Sequence, residues 1–505
     1  MTSLLFLQQI SGRRILADNS EALASDLNLE YIVKECAKGD AFIAKTVREI
    51  LLTAIPAAVP DILRRQEVIL DTLCHEDLFR SLYAIISEHL LRYDALFKKN
   101  LPAFSRTSPV TGRIRNSVKL AFILLECVSR LKSTYASRIG LFGASALTAF
   151  FTEFSEFYSD MFLKDAEEQL KRILLVADNE CVSLSAGFGF GMKAGDVVIR
   201  CVTKGGACPD AYKGLKKKDS IAITGIAIQS QVNSLRDGAL QKLLRIVNDI
   251  SDTTLRHLKT LRYELAFFLG AANLYHAMVK MRIPIVFPTP REYDERKLSF
   301  EDLMDLSLGF INKTRPVGNS LCLDDRSPIL VTGANQGGKS TFLRSVGIAQ
   351  LMMQSGLFVA AAKFSANCCD RIFTHFCRMD SDRPVNGADR GKLDAELMLM
   401  KKMIGQAGRN SMFLMNESFS SSPEAEAALI GCELLRAFHD LRLKTIYVTH
   451  FYSVSSELYE KKLPGAMFLA AKRNEDGSRP YMITTAAPSK TSFGLDIFRE
   501  VFCLE

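Results

Sequence analysis

The stretch from Ile329 to Thr341, Ile-Leu-Val-Thr-Gly-Ala-Asn-Gln-Gly-Gly-Lys-Ser-Thr, places a glycine-rich turn between an apolar run and a helical one. This is the spacing of a phosphate-binding loop. Gly333 and Gly338 let the backbone curl so that the N–H groups of Gly333, Ala334, Asn335, Gln336, Gly337 and Gly338 face one concavity. A helix starting near Lys339 and running through Thr341 adds the positive end of its dipole to that anion site. Lys339 would reach the terminal phosphates of a nucleotide, and the Ser340 hydroxyl would ligate Mg²⁺. The bare pattern also fits a glycine turn that binds nothing. The buried-strand character of Ile329–Val331 and the helical periodicity of Phe342–Met353 favour the binding loop.

Phosphate chemistry needs an acid beside such a loop, and Ser411-Met-Phe-Leu-Met-Asn-Glu417 supplies a strand-like run with a polar end. Glu417 is the candidate general base or water-positioning group. Asn416 stands where a metal-holding acid is expected, so the metal set reads as Ser340, Asn416 and Glu417, short of one negative charge. Thr445-Ile-Tyr-Val-Thr-His450 is a further buried strand whose terminal His450 is placed to contact the terminal phosphate or its water. A satisfied structural histidine is the alternative there. The catalytic candidates are Glu417, His450 and Lys339, with ATP and Mg²⁺ as the implied ligands.

The elements that must position these residues follow from the rest of the chain. With 505 residues, 48% of them hydrophobic and 24% charged, the composition is that of a folded multi-domain protein rather than a disordered one. Twelve cysteines without paired C-x-x-C spacing suit free thiols, and the net charge of +8 permits a polyanionic partner without requiring one. No signal-like start and no stretch long enough to span a bilayer is evident, so no membrane partner and a cytoplasmic location are expected.

Residues 1–178 read as helical core and first long helix, and residues 179–232 as a small β-rich insert. Residues 233–298 read as a returning helix and connector, and residues 299–505 as an α/β nucleotide domain. The returning helix carries a three-four seam through Leu240, Leu243, Val247, Ile250, Thr254, Leu258, Leu261 and Leu265, as in a coiled coil, and is expected to pair with a helix over 146–175. The fold class is therefore an all-α core with long lever-like helices, a β-rich insert and a C-terminal α/β P-loop domain.

Several landmarks, in order, resemble the MutS family of DNA mismatch-repair ATPases. They are Thr332–Thr341 (T-G-x-N-x-G-G-K-S-T), Gly356–Ala360, Asp370–His375 (against D-x-I-F-T-R), the strand-end Glu417, Thr449-His450, and Ser492-Phe-Gly494 (against S-Y-G-I). Asp61–Gln66 resembles a core-domain helix more weakly. The resemblance implies an ABC-like ATPase domain, a homodimer sandwiching ATP through that domain, and contact with DNA. It also makes the β-rich insert a clamp, with Lys213, Lys216, Lys217 and Lys218 as DNA-backbone contacts; a solvated loop is the alternative.

Departures from the pattern shape the expectation. The chain opens directly into core-like helices, so classical mismatch recognition is not expected. Phe151-Thr-Glu153 and Phe154-Ser-Glu156 mimic a base-wedging motif, yet on a long apolar helix they read as packing residues. The family's signature hydroxyl is replaced by Arg390-Gly-Lys392-Leu-Asp394. With Asn416, this predicts slow hydrolysis by a protein acting on DNA structures in repair or recombination. The competing function is a nucleotide-gated protein-interaction scaffold with little hydrolysis or DNA binding.

Overall fold

The computed structural model describes residues 3–5, 19–53, 58–104, 108–177, 181–188, 194–203, 226–334, 336–377, 392–420, 423–474 and 478–488. The chain divides into two compact units, one spanning Asp77–Leu265 and the other gathering Thr2–Glu76 with Ala266–Glu505.

Four helices open the second unit: α1 (Ser20–Asp26), α2 (Leu29–Ala37), α3 (Ala41–Leu51) and α4 (Val59–Cys74). Asp40 caps α3 by accepting from the Phe42 and Ile43 N–H groups. Pro60 sits in the first turn of α4, where its missing N–H costs nothing.

The first unit holds α5 (Glu76–Lys99), α6 (Val110–Tyr135), α7 (Ser145–Phe157), α8 (Asp160–Ala177), the strands β1 (Cys181–Phe188) and β2 (Ala194–Thr203), and most of the 55-residue α9 (Ile226–Lys280). The single helix expected over 146–175 is two. The chain breaks at Tyr158-Ser159, where the Ser159 hydroxyl accepts from Phe162 N and starts α8 afresh. The core of this unit joins α9 to α6 and α8, with Leu240, Leu244 and Val247 against Ile114, Val118 and Leu170.

The buried seam of α9 runs Leu240, Leu244, Val247, Ser251, Thr254, Leu258, Leu261 and Leu265. Leu243 is only partly buried and Ile250 is exposed, because an unbroken four-three alternation from Leu240 selects Leu244 and Ser251 instead. Hydrophobicity misled the reading at Ile250; periodicity selects a serine there. Phe151 and Phe154 are buried against Tyr135, with ring centroids 4.5 and 6.1 Å away, as packing residues should be. The strands β1 and β2 form an antiparallel hairpin with register shifts. Residues 226–232, expected within the β-rich insert, belong to α9. Lys213, Lys216, Lys217 and Lys218 lie outside the described residues.

The second unit continues with the end of α9, then β3 (Thr289–Arg291), β4 (Leu298–Leu303), α10 (Leu306–Asn312), β5 (Asn319–Cys322), β6 (Ile329–Gly333), α11 (Lys339–Gln354), β7 (Lys363–Asn367) and β8 (Ile372–Phe376). It closes with α12 (Lys392–Gln406), β9 (Met412–Asn416), α13 (Glu424–Asp440), β10 (Lys444–Val448), α14 (Tyr452–Glu460), β11 (Met467–Ala471) and β12 (Ile483–Thr485). One sheet has the order β12-β11-β6-β10-β9-β8, parallel except for β12; a smaller one has the order β3-β7-β4-β5.

The central strands are apolar on both faces because both are covered. On one side Phe413, Tyr447 and Phe373 share a core with Leu435 and Phe438 of α13 and Val454 and Leu458 of α14. On the other, a Cβ at Gly347 of α11 would come within 2.7 Å of Leu414 and 2.8 Å of Leu27, so α11 lies flush between β9 and the α1–α2 turn. The C-terminal end of α11 is tied to α4, since Arg65 donates to the Gln354 carbonyl at 3.1 Å and to the Leu5 carbonyl at 2.8 Å.

Candidate functional site

In the larger sheet the chain leaves β6 for the edge strand β8, steps back inward through β9 and β10, and then crosses to β11, so the connections that follow the neighbouring strands β6 and β10 run in opposite directions. Crevices for ligands open at such reversals, at the carboxyl ends of the strands. The loop from β6 to α11 stands there. Gly333 has φ +107° and Gly338, the N-cap of α11, has φ +88°, conformations in which a Cβ is strained. Gly337 answers a different need: a Cβ would stand 2.8 Å from Ala471 Cβ and 2.9 Å from the Ala334 carbonyl oxygen. This glycine lets the loop lie against β11. Asn335 is outside the described residues.

Lys339 is 5% exposed, and its ammonium donates to the Gly333 and Ala334 carbonyls at 3.0 and 2.9 Å. Two of its three donors are thus used within the loop. Burial pushes its pKa below the usual lysine value; the nearby Glu417 charge opposes this and Arg479 adds to it. The Ser340 hydroxyl donates to Asn416 Oδ1 at 2.9 Å, joining the start of α11 to the end of β9.

The ends of the neighbouring strands are stitched together. Thr449 N donates to the Val331 carbonyl and Glu417 N to the Val448 carbonyl. Glu417 has φ +54° and Phe419 φ +66°, both left-handed without being glycine. A cleft of about 730 Å³ opens here, a volume in the range of small-molecule sites. It is lined by Gln336 through Thr341, Glu417 and His450, together with Leu308, Asn312, Val317, Asn319 and Tyr481. Among the described candidates the structure therefore brings Gln336, Gly337, Gly338, Lys339, Ser340, Thr341, Glu417 and His450 to one cavity. Asn416 lies just behind, on Ser340. His450 is exposed, its ring 4.2 Å from that of Phe451.

Sequence patterns missed the other wall. Tyr481, with φ +57°, approaches from the chain leading into β12, and a Cβ at Gly338 would stand 3.4 Å from its Cβ. Asn319 accepts from Ile483 N at 2.7 Å, and Arg479 donates to Gln336 Oε1 at 3.1 Å. Arg479 and Tyr481 lie more than a hundred positions from both Asn319 and the loop, and no local motif marks them.

Sequence patterns also missed the support behind Glu417. His375, 5% exposed on β8, hydrogen-bonds through Nδ1 to the Ser418 hydroxyl at 2.6 Å; Ser418 also donates to the His375 carbonyl. Tyr447 donates to the Ser418 carbonyl at 3.1 Å.

Among the described residues, no three His, Cys, Asp or Glu side chains gather into a metal site. The Ser340 and Asn416 oxygens with the Glu417 carboxylate are hard donors that suit Mg²⁺ when ligand phosphates complete its shell. No helix among the described residues is long and apolar enough to cross a membrane.

Two family models match the chain in order: the MutS2 N-terminal domain over residues 58–281 and MutS domain V over residues 329–503. The second match contains the β6–α11 loop, Glu417 and His450. The DNA mismatch repair protein MutS of Methanothrix thermoacetophila is 29% identical over 187 residues, 36% of this chain and 21% of that protein. MutS of Thermus thermophilus is 26% identical over 239 residues, 46% of this chain and 28% of that protein. Endonuclease MutS2 of Streptococcus pyogenes is 27% identical over 232 residues, 45% of this chain and 28% of that protein. The matched region spans under a third of the length of each of these relatives. With both domain models matched in order, and homologues named MutS and MutS2, the chain belongs to the MutS family.

Proposed function

We propose that the cleft beside β6 binds ATP with Mg²⁺ and hydrolyses it slowly, and that the chain uses this cycle on DNA structures in repair or recombination. One observation carries the reading: the glycine loop with Lys339, Ser340 bonded to Asn416, Glu417 and His450 converge on a single cavity from the ends of β6, β9 and β10. Domain V, which the region matches, is the ATPase domain of MutS proteins.

The division of labour follows from the geometry. Backbone N–H groups between Gln336 and Thr341, at the start of α11, would donate to the phosphate oxygens, and Lys339 adds the remaining donor of its ammonium. Ser340 and Asn416 would hold Mg²⁺, which supplies positive charge to the phosphate oxygens. Glu417 takes the proton of the attacking water or orients it, and His450 contacts the same end of the cleft. Asn416 brings an amide where a carboxylate would add a full charge, and this favours slow turnover.

The family supports DNA binding and dimer formation, here a homodimer through the nucleotide unit, and the cations Lys213, Lys216, Lys217 and Lys218 are the proposed backbone contacts. A second reading, a nucleotide-gated scaffold for a protein partner, is favoured by the neutral Ser340–Asn416 pair. Turnover measured alone and with plain, mismatched and branched duplexes separates the two. Stimulation by any duplex supports the first reading, whereas ATP binding with no turnover on every DNA supports the second. Replacing the four lysines with alanine should weaken all duplexes alike, lowering the slope of log K against log salt by about 0.9 per lost phosphate contact.

A further inference from the structure

The residue after next from Glu417 is held by a helix that supplies nothing to the cleft wall. Phe419 N donates to Glu396 Oε2 at 2.7 Å, and Glu396 lies on the second turn of α12. Phe419 is fully buried and left-handed, with φ +66°, and Glu417 two residues earlier is left-handed with φ +54°. Such backbone persists only where surrounding contacts over-determine it. Here those contacts come from three elements: His375 on β8 and Tyr447 on β10 bind Ser418, while Glu396 on α12 binds the Phe419 amide.

The two strand anchors are parts of the rigid sheet. α12 is not a strand; it packs on the α13 side of the sheet through Met400 and Met403. Its Glu396 bond is charge-assisted, the stronger kind. The Glu396 carboxylate also lies close enough to His375 to favour the protonated ring, against the burial that disfavours it. The Glu417 turn is therefore the point where sheet and α12 meet, two residues from a side chain in the cleft.

We propose that Glu396 is a positioning residue that fixes the Glu417 turn and makes the aim of the Glu417 carboxylate depend on where α12 sits. A displacement of α12 pulls directly on the Phe419 amide. The Ser418 carbonyl and the Phe419 N–H share one peptide plane, so the pull tilts that plane against the Tyr447 and His375 bonds and the change passes through Ser418 to the Glu417 backbone. This rests on the reading of Glu417 as the water-directing group. Its consequence is a residue that governs turnover without touching the nucleotide, on the helix that begins at Lys392 within the departed signature stretch.

The test compares Glu396→Ala, which removes the acceptor, with Glu396→Gln, which keeps a carbonyl oxygen at the same reach. In the full chain, Glu396→Ala should lower kcat on the order of 10- to 100-fold, the scale expected for misplacing a reacting group by about an ångström. The Kd for a fluorescent ATP analogue should stay within about twofold, and Glu396→Gln should recover most of the rate, since it restores the hydrogen bond.

Amide hydrogen exchange supplies a readout independent of activity. The Phe419 amide should be protected in the parent and in Glu396→Gln, and exchange faster in Glu396→Ala. Equal protection in all three proteins overturns the proposal, as does a Glu396→Ala variant that loses ATP affinity and rate together. Absence of turnover in the parent would remove the hydrolysis reading, and the exchange experiment would still decide whether Glu396 holds the turn.

Discussion

Two turns at the same edge of the same sheet solve one problem by opposite means. The turn after β6 reaches left-handed backbone with glycine at Gly333 and Gly338 and without it at Gln336, φ +58°, while the turn after β9 reaches it with Glu417 and Phe419 and no glycine. At the two glycines the conformation is permitted by the residue type and costs little. In the second turn it costs on the order of 1–3 kcal/mol per site and is held by hydrogen bonds from β8, β10 and α12. A binding loop can be built from local sequence alone. A turn that must present a carboxylate at a strained position needs the rest of the unit.

The largest expected effect separates strain from function. Glu417→Gly removes the side chain and relieves the left-handed backbone, so turnover should fall by roughly 10²- to 10⁴-fold, the usual worth of a general base. Its unfolding midpoint in denaturant should not fall below that of the parent. A destabilised Glu417→Gly would show that the turn is not strained and would end the contrast. Next in size, Lys339→Ala should weaken ATP by about 100-fold, near 2.7 kcal/mol, in an equilibrium binding titration. Unchanged affinity would show that the ammonium serves only the Gly333 and Ala334 carbonyls.

Gly337→Ala probes the loop's packing rather than its dihedral freedom. The new Cβ must displace Ala471 or the Ala334 carbonyl, an overpacking cost of about 1–3 kcal/mol. ATP affinity should drop about tenfold, and Ala471→Gly in the same chain should restore part of it. No rescue would place the clash elsewhere.

The smallest effect concerns the support of the other turn. Burial holds the His375 pKa below its ordinary 6.5, partly offset by Glu396 and Asp26. The unfolded chain then binds the proton first, so stability is present above about pH 6.5 and declines as pH falls from there toward the folded value. Denaturant midpoints taken from pH 7.5 to 5.5 should show this decline, and His375→Gln should flatten it. A slope that His375→Gln leaves untouched would assign the pH dependence to another group.

How much was legible beforehand depends on whether a feature is local. The run Gly333 to Thr341 announces its own turn and helix start, and β9 and β10 announce themselves as buried strands ending in Asn416–Glu417 and Thr449–His450. The seam of α9 was half legible. Apolar residues suggested Ile250, but the period of a packed helix puts Ser251 inside and Ile250 outside. The break at Ser159 was not seen, because a capping serine in an amphipathic stretch looks like any other polar position.

The sequence by itself determined the glycine loop, Lys339, the polar strand ends and the family landmarks, because each rests on neighbours within a few residues. Only the tertiary structure decided that Tyr481, Asn319 and Val317 wall the cleft with the loop, that Gly337 is a glycine for the sake of Ala471, and that Glu396 and His375 hold the turn beside Glu417. Those relations join residues far apart in the chain, Glu396 and Phe419 by 23 positions and Asn319 and Tyr481 by 162. Sheet order brings them together, and no periodicity along the backbone encodes it.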